Sequence, residues 1–138
     1  MKIPAHVIAG ETDRWTEIMF RALSNRVAKR WRFVSFRGKN KREWRGIVDV
    51  LAIRKDTSQP ANKSLKRGDL FDIILIQMKG GSARFPSIDE RRRLRVVARY
   101  YRAQKVVLFN WERGRQTSFS ILDRSLAWRH QTSREIFG

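Results

Sequence analysis

Residues 69–79 read DLFDIILIQMK. The run Ile73-Ile74-Leu75-Ile76 leaves neither side of an extended chain polar, so it predicts a strand buried on both faces, at the centre of a sheet. The strand closes on Gln77, Met78 and Lys79, just before Gly80-Gly81. Residues two apart in a strand share a face, which sets Gln77 and Lys79 side by side at its end, with Ile73 and Leu75 behind them.

Upstream, residues 46–54 (GIVDVLAIR) predict a second strand, apolar on both faces except for Asp49. An acid in an apolar strand costs several kcal/mol if unpaired, so something positive must face it. If these two strands are neighbours, Asp49 stands beside Gln77 near Lys79. Two readings fit: a structural Asp49–Lys79 ion pair, or a carboxylate and an amide oxygen sharing a cation. Between the strands, residues 55–68 (KDTSQPANKSLKRG) have the composition of a solvated loop. Before them, residues 31–36 (WRFVSF) predict a strand and residues 37–45 (RGKNKREWR) a basic loop. Residues from about 12 to 30 predict a helix, with Trp15, Ile18, Met19, Ala22, Leu23 and Val27 at helical spacing.

Downstream, Ser87 and Glu90 form a capping-box pattern for a helix reaching about Arg102, whose inner side is expected to be Ile88, Leu94, Val97, Ala98 and Tyr101. Residues 105–110 (KVVLFN) predict a strand, Gly114 a turn, and residues 117–122 (TSFSIL) a last, edge strand. The tail from Asp123, with Trp128 and Phe137, shows no clear period. The expected fold is α/β, one mixed central sheet flanked by helices in a single domain over residues 1–138, with its core about 10–122 and a tail at 123–138.

The 138 residues carry 31 Lys plus Arg against 13 Asp plus Glu, a net charge of +18, and arginine predominates over lysine. That field calls for a polyanion, and the planar guanidinium fork suits phosphate and base edges. With 41% hydrophobic residues, five Trp and eight Phe, the chain can still bury a core. Cysteine is absent, which excludes disulfides, thiol nucleophiles and thiolate metal sites. No apolar run reaches the length of a membrane span and no signal peptide opens the chain, so a soluble cytoplasmic protein without a membrane partner is expected. His6 and His130, at the two ends, offer no Ser-His-Asp arrangement.

The acid within GIVDVLAIR, followed by a hydrophobic strand ending Gln77-Met78-Lys79, resembles the PD-(D/E)XK nuclease superfamily, which includes restriction-like enzymes and Holliday-junction resolvases. The resemblance covers roughly residues 10 to 110. It departs from the family pattern in having Gln77 at the second acid, a variant that the family tolerates, and no proline before Asp49. It implies a restriction-endonuclease-like αβββαβ core. It also implies a metal-dependent DNA endonuclease of repair, recombination or defence, binding Mg²⁺ or Mn²⁺ through Asp49, Gln77 and the Met78 carbonyl, with Lys79 orienting or activating water. A glutamate on the first helix completes the implied site: Glu17, level with the middle of the second strand, or its rival Glu11. Oxygen donors of this kind do select hard divalent cations.

For nucleic-acid contacts the candidates are Lys39, Lys41, Arg42 and Trp44 in the basic loop, Arg84 after the glycine pair, and Arg91, Arg95 and Arg99 (with Arg102) along one helix face. Each has a plainer reading as a solvated charge or a folded-back ring. DNA is the expected partner, and a homodimer would let two sites cut two strands. Gln77 also supports a different class, a binding module on the same fold that no longer turns over. A third class is a basic RNA-associated protein of ribosomal type, which explains the charge but not Asp49, Gln77 and Lys79.

Overall fold

The structure, a computed structural model, describes residues 18, 20–22, 30–36, 47–60, 62–80, 85–111 and 117–138. Residues 18 and 20–22 are helical. Six strands follow the order of the chain across one sheet: β1 (Arg32–Ser35), β2 (Val50–Lys55), β3 (Phe71–Gly80), β4 (Lys105–Trp111), β5 (Ser118–Leu122) and β6 (Trp128–Gln131). All neighbours run antiparallel except β3 and β4, which are parallel and joined through helix α1 (Ile88–Tyr100). A short helix, α2 (Ser133–Phe137), ends the chain.

The protein is therefore α/β with one mixed sheet, as its patterning predicts. β3 lies inside the sheet and is buried from Ile74 through Met78, the result expected of a run apolar on both faces. Its even positions Ile74, Ile76 and Met78 join Val50, Ala52, Val107, Phe109 and Phe119 in one core; Phe20, Ile136 and Phe137 pack against it. Its odd position Leu75 joins Val106 and Leu122 in a second core, closed by Leu94 and Ala98 of α1. Helical segments thus pack against both faces. In the first core Phe20 makes edge-on ring contacts with Phe33 and Phe109, at centroid separations of 5.3 and 5.5 Å. Such geometry adds about 0.5 to 1.5 kcal/mol per pair to the gain from area burial.

Four expectations are corrected. The second strand begins at Val50 and does not include residues 47–49, because the Asp49 carboxylate takes the Met78 N–H at 2.8 Å where a main-chain carbonyl would continue the ladder; the expected start at Gly46 lies outside the described residues. The strand over 117–122 is neither last nor at the edge, since β6 pairs along it from Phe119↔Gln131 to Leu122↔Trp128. Residues 123–138 are not a tail: they supply β6 and α2, Ile136 and Phe137 are buried in the core, and the Trp31 indole N–H donates to the Phe137 carbonyl at 3.0 Å. Ile88 and Tyr101 lie beyond the span where Leu94 and Ala98 meet the sheet and are 41% and 59% exposed, so they do not belong to the inner side of the helix. The Ser87 cap is as expected, accepting from the Glu90 N–H. The expected helix over 12–30 coincides with the helical residues 18 and 20–22; its remainder, apart from Arg30, and the turn at Gly114 lie outside the described residues.

Candidate active site at the carboxyl end of the parallel strands

In an open α/β sheet the carboxyl ends of parallel strands are the usual place for a ligand, since loops and helix N-termini converge there. Here that place is the end of β3 and β4. The Val50↔Ile76 register, carried one step further, sets Asp49 opposite Gln77. Asp49 is anchored on both sides: its N–H donates to the Ile76 carbonyl and its carbonyl accepts from the Phe36 N–H, each at 2.9 Å. Its carboxylate rests against the backbone of β3 at Met78. A strand residue directs its N–H and C=O toward the same neighbour, so the Met78 carbonyl also faces the Asp49 side.

Gln77 is 4% exposed, the one buried polar residue among those described. Its Oε1 is fully enclosed and accepts no hydrogen bond. An orphaned amide oxygen at such depth costs about 1 to 3 kcal/mol, and a bound cation is one way to recover that cost. Lys79 lies on the same face of β3 and is half-buried, with no ion pair to Asp49 or to any other described residue. The sequence-derived alternative of a structural Asp49–Lys79 pair therefore has no ion pair behind it in this structure.

The same row contains residues that the sequence reading missed. Lys79 pairs with Asn110 of β4, and Asn110 with Ser118 of β5, so three polar side chains line up across three strands on the α1 side. Ser120 extends the polar surface one pair further back, opposite Leu108. The signal was present in the alternation of Asn110 and Ser118 with the core residues Phe109 and Phe119, but it becomes readable only once the strand order is known. The donor set Asp49, Gln77 and the Met78 carbonyl is all oxygen and fits a Mg²⁺-like ion. Among the described residues no group of three His, Cys, Asp or Glu side chains converges.

The other candidates separate into three groups. Glu17, its rival Glu11, and Lys39, Lys41, Arg42, Trp44 and Arg84 lie outside the described residues. Arg91 and Arg95 are engaged within the fold: Arg91 Nη1 donates to the Leu126 carbonyl at 2.8 Å, and Arg95 Nη2 to the carbonyls of Leu122 and Asp123 at 2.7 and 3.0 Å. These bonds clamp α1 to the β5–β6 turn. Arg99 and Arg102 remain exposed.

That turn is itself a closed polar unit. The Asp123 carboxylate accepts from Ser125 Oγ at 2.7 Å, from the Ala127 N–H at 3.0 Å and from Arg129 Nε at 2.6 Å, which together hold it well below the usual carboxylate range. No described helix is long and apolar enough to cross a membrane. Comparison of the chain with protein-family models, with curated proteins and with solved structures finds no match.

Proposed function

We propose that the protein is a divalent-cation-dependent DNA endonuclease with its site at Asp49, Gln77 and Lys79. The observation that carries this reading is the buried, partnerless Gln77 oxygen beside an anchored carboxylate and a half-buried lysine. The order helical segment, β1, β2, β3, α1, β4 is compatible with the αβββαβ core that the PD-(D/E)XK resemblance implies. The net charge of +18 suits a polyphosphate substrate.

Asp49, the Gln77 amide oxygen and the Met78 carbonyl would hold the ion, with Mg²⁺ or Mn²⁺ matching their hardness. When bound, such an ion supplies positive charge to the scissile phosphoryl group and acidifies nearby water. The remaining tasks fall to the chain itself. Asp49, immobilised through both backbone bonds and its carboxylate contact, supplies a fixed negative charge. The Lys79 ammonium steers the phosphate by a charge-assisted hydrogen bond, and Asn110 and Ser118 offer neutral donors for its other oxygens. Replacing a carboxylate by the Gln77 amide removes one negative charge, so more of the ion's affinity must come from substrate phosphate.

The test is incubation of plasmid and branched DNA with Mg²⁺ or Mn²⁺. Asp49→Ala should lower cleavage at least ~10³-fold, about 4 kcal/mol of transition-state stabilisation, and Lys79→Ala ~10²-fold. Wild-type DNA binding with no metal-dependent cutting would overturn the nuclease reading. It would favour a binding module, a second reading supported by the presence of only one carboxylate among the three site residues.

A further inference from the structure

Helix α1 covers only part of its face of the sheet. Leu94 and Ala98 close over Leu75, Val106 and Leu122 on β3, β4 and β5, but the same face continues beyond the helix onto β2 and β1. There the register places Val34 across from Leu51, Arg32 across from Ile53, and Lys55 across from Phe71. Val34 is 43% and Phe71 57% exposed, large values for apolar side chains on a sheet face. Between them lies a groove of about 530 Å³, within the range of sites that hold small organic groups.

The groove is apolar in its floor and cationic at its rim. Val34, Ile53 and Phe71 make the floor, and Arg30, Arg32 and Lys55 stand around it. An adjoining recess of about 300 Å³ shares Arg30, Arg54, Lys55 and Thr57 with it. The nearby carboxylates are already engaged. Asp72 is paired with Arg54 at 2.9 Å, and Arg54 also lies over the Trp31 ring at 4.3 Å. Asp56 accepts from both the N–H and the hydroxyl of Ser58, which hold its carboxyl below the ordinary value. Arg30, Arg32 and Lys55 have no ion pair among the described residues. The rim therefore presents unneutralised positive charge around an exposed aromatic ring.

That combination selects an occupant with a flat apolar face and a negative backbone. Base stacking on an aromatic side chain, with cations following the phosphates, is how single-stranded nucleic acid is held without sequence preference. A base paired within a duplex keeps its faces stacked on its neighbours and offers no face to Phe71. We propose that the uncovered part of this face, floored by Phe71 and rimmed by Arg30, Arg32 and Lys55, is a seat for unpaired nucleotides.

The location of the seat, considered together with the nuclease reading on which this step rests, narrows the substrate class. β2 leads from Asp49 toward Ile53 and Lys55. At ~3.3 Å per residue, Asp49 and Ile53 are about 13 Å apart, the length of helix axis that roughly four base pairs occupy. A substrate engaging both regions carries a short unpaired segment close to the cut: a flap, a fork or a branched junction in place of a uniform duplex.

The seat is tested without catalysis, in EDTA, by titrating the full chain into a 12-nucleotide oligothymidine carrying one 2-aminopurine, and into a blunt duplex of the same length. The expected result is that Phe71→Ala weakens single-strand binding ~5- to 100-fold while duplex binding changes less than twofold, and that Phe71→Trp restores it. Arg32→Ala should lower the salt slope of single-strand binding by about 0.7. Unchanged thermal melting of the variants certifies the fold. Equal loss on both substrates, or no loss, overturns the seat, as does light scattering in which Phe71→Ala dissolves a dimer, because the groove would then hold a second copy. These outcomes are independent of cutting, so a catalytically silent wild type refutes the nuclease reading and leaves the seat standing.

Discussion

Two polar clusters, one at Gln77 and one at Asp123, differ in completeness. At the β5–β6 turn the carboxylate of Asp123 is surrounded by donors, and Arg91 and Arg95 reach across from the helix to carbonyls of the turn. At the end of β3 the Gln77 oxygen is more deeply enclosed and has no donor, whereas beside the turn the orphaned atoms are donors, Arg95 Nε and Trp128 Nε1, and the carboxylate itself is fully engaged. A satisfied network stiffens a fold, whereas a buried group left unsatisfied lowers stability and persists where function needs it. The Asp123 carboxylate has the marks of architecture, and the unmet acceptor at the strand end is what the proposed ion site would use.

The sharpest way to break the comparison is Gln77→Leu. It removes the orphaned oxygen while keeping much of the volume, so metal-dependent cleavage should fall at least ~10²-fold while the protein gains about 1 to 2 kcal/mol in urea unfolding. A variant that loses stability as well as activity would mean that the oxygen has a structural partner after all. At the turn the expectation is reversed. Arg95→Ala deletes two charge-assisted bonds in a partly buried setting and should cost about 2 to 3 kcal/mol, with little change in cleavage per folded molecule. Loss of DNA affinity well beyond that explained by unfolding would return Arg95 to the nucleic-acid surface.

The smallest effect concerns acid. The Asp123 carboxyl is held well below the ordinary carboxylate range, chiefly by the Ser125 hydroxyl and then by the Ala127 N–H and the Arg129 guanidinium. A depressed carboxylate contributes stability that is complete above its unfolded value and disappears as pH falls through the folded one. The Tm difference between wild type and Asp123→Asn should thus be constant from pH 5 to pH 8 and narrow below about pH 4. A gap that widens on acidification would show that the carboxyl is not stabilised as an anion.

Much of this arrangement was legible in the residues because the strongest signals are those of double burial. Ile73 to Ile76 could sit only inside a sheet, and Ser87 with Glu90 marked where α1 begins. β6 was illegible because Trp128-Arg129-His130-Gln131 carries no run of apolar residues; it is a strand because β5 offers it a partner. The inner side of α1 was read too widely at its ends, since helical spacing repeats along the whole helix while Leu94, Ala98 and the partly buried Val97 meet the core and Ile88 and Tyr101 do not. Asp49, Gln77 and Lys79 were singled out from type and spacing, and the structure sets Asp49 opposite Gln77 with Lys79 on the same face of β3. Asn110 and Ser118 were not, because a polar residue in a strand is unremarkable until its neighbours across the sheet are known.

The parallel pairing of β3 with β4 also bears on how the chain reaches this state. Its register joins residues 31 apart, from Ile74↔Lys105 to Gly80↔Trp111, while every other pairing connects consecutive strands running in opposite directions. Parallel pairing needs a crossover, here α1, and so closes a longer loop than the antiparallel pairings do. That long-range closure is the same event that brings Asn110 beside Lys79.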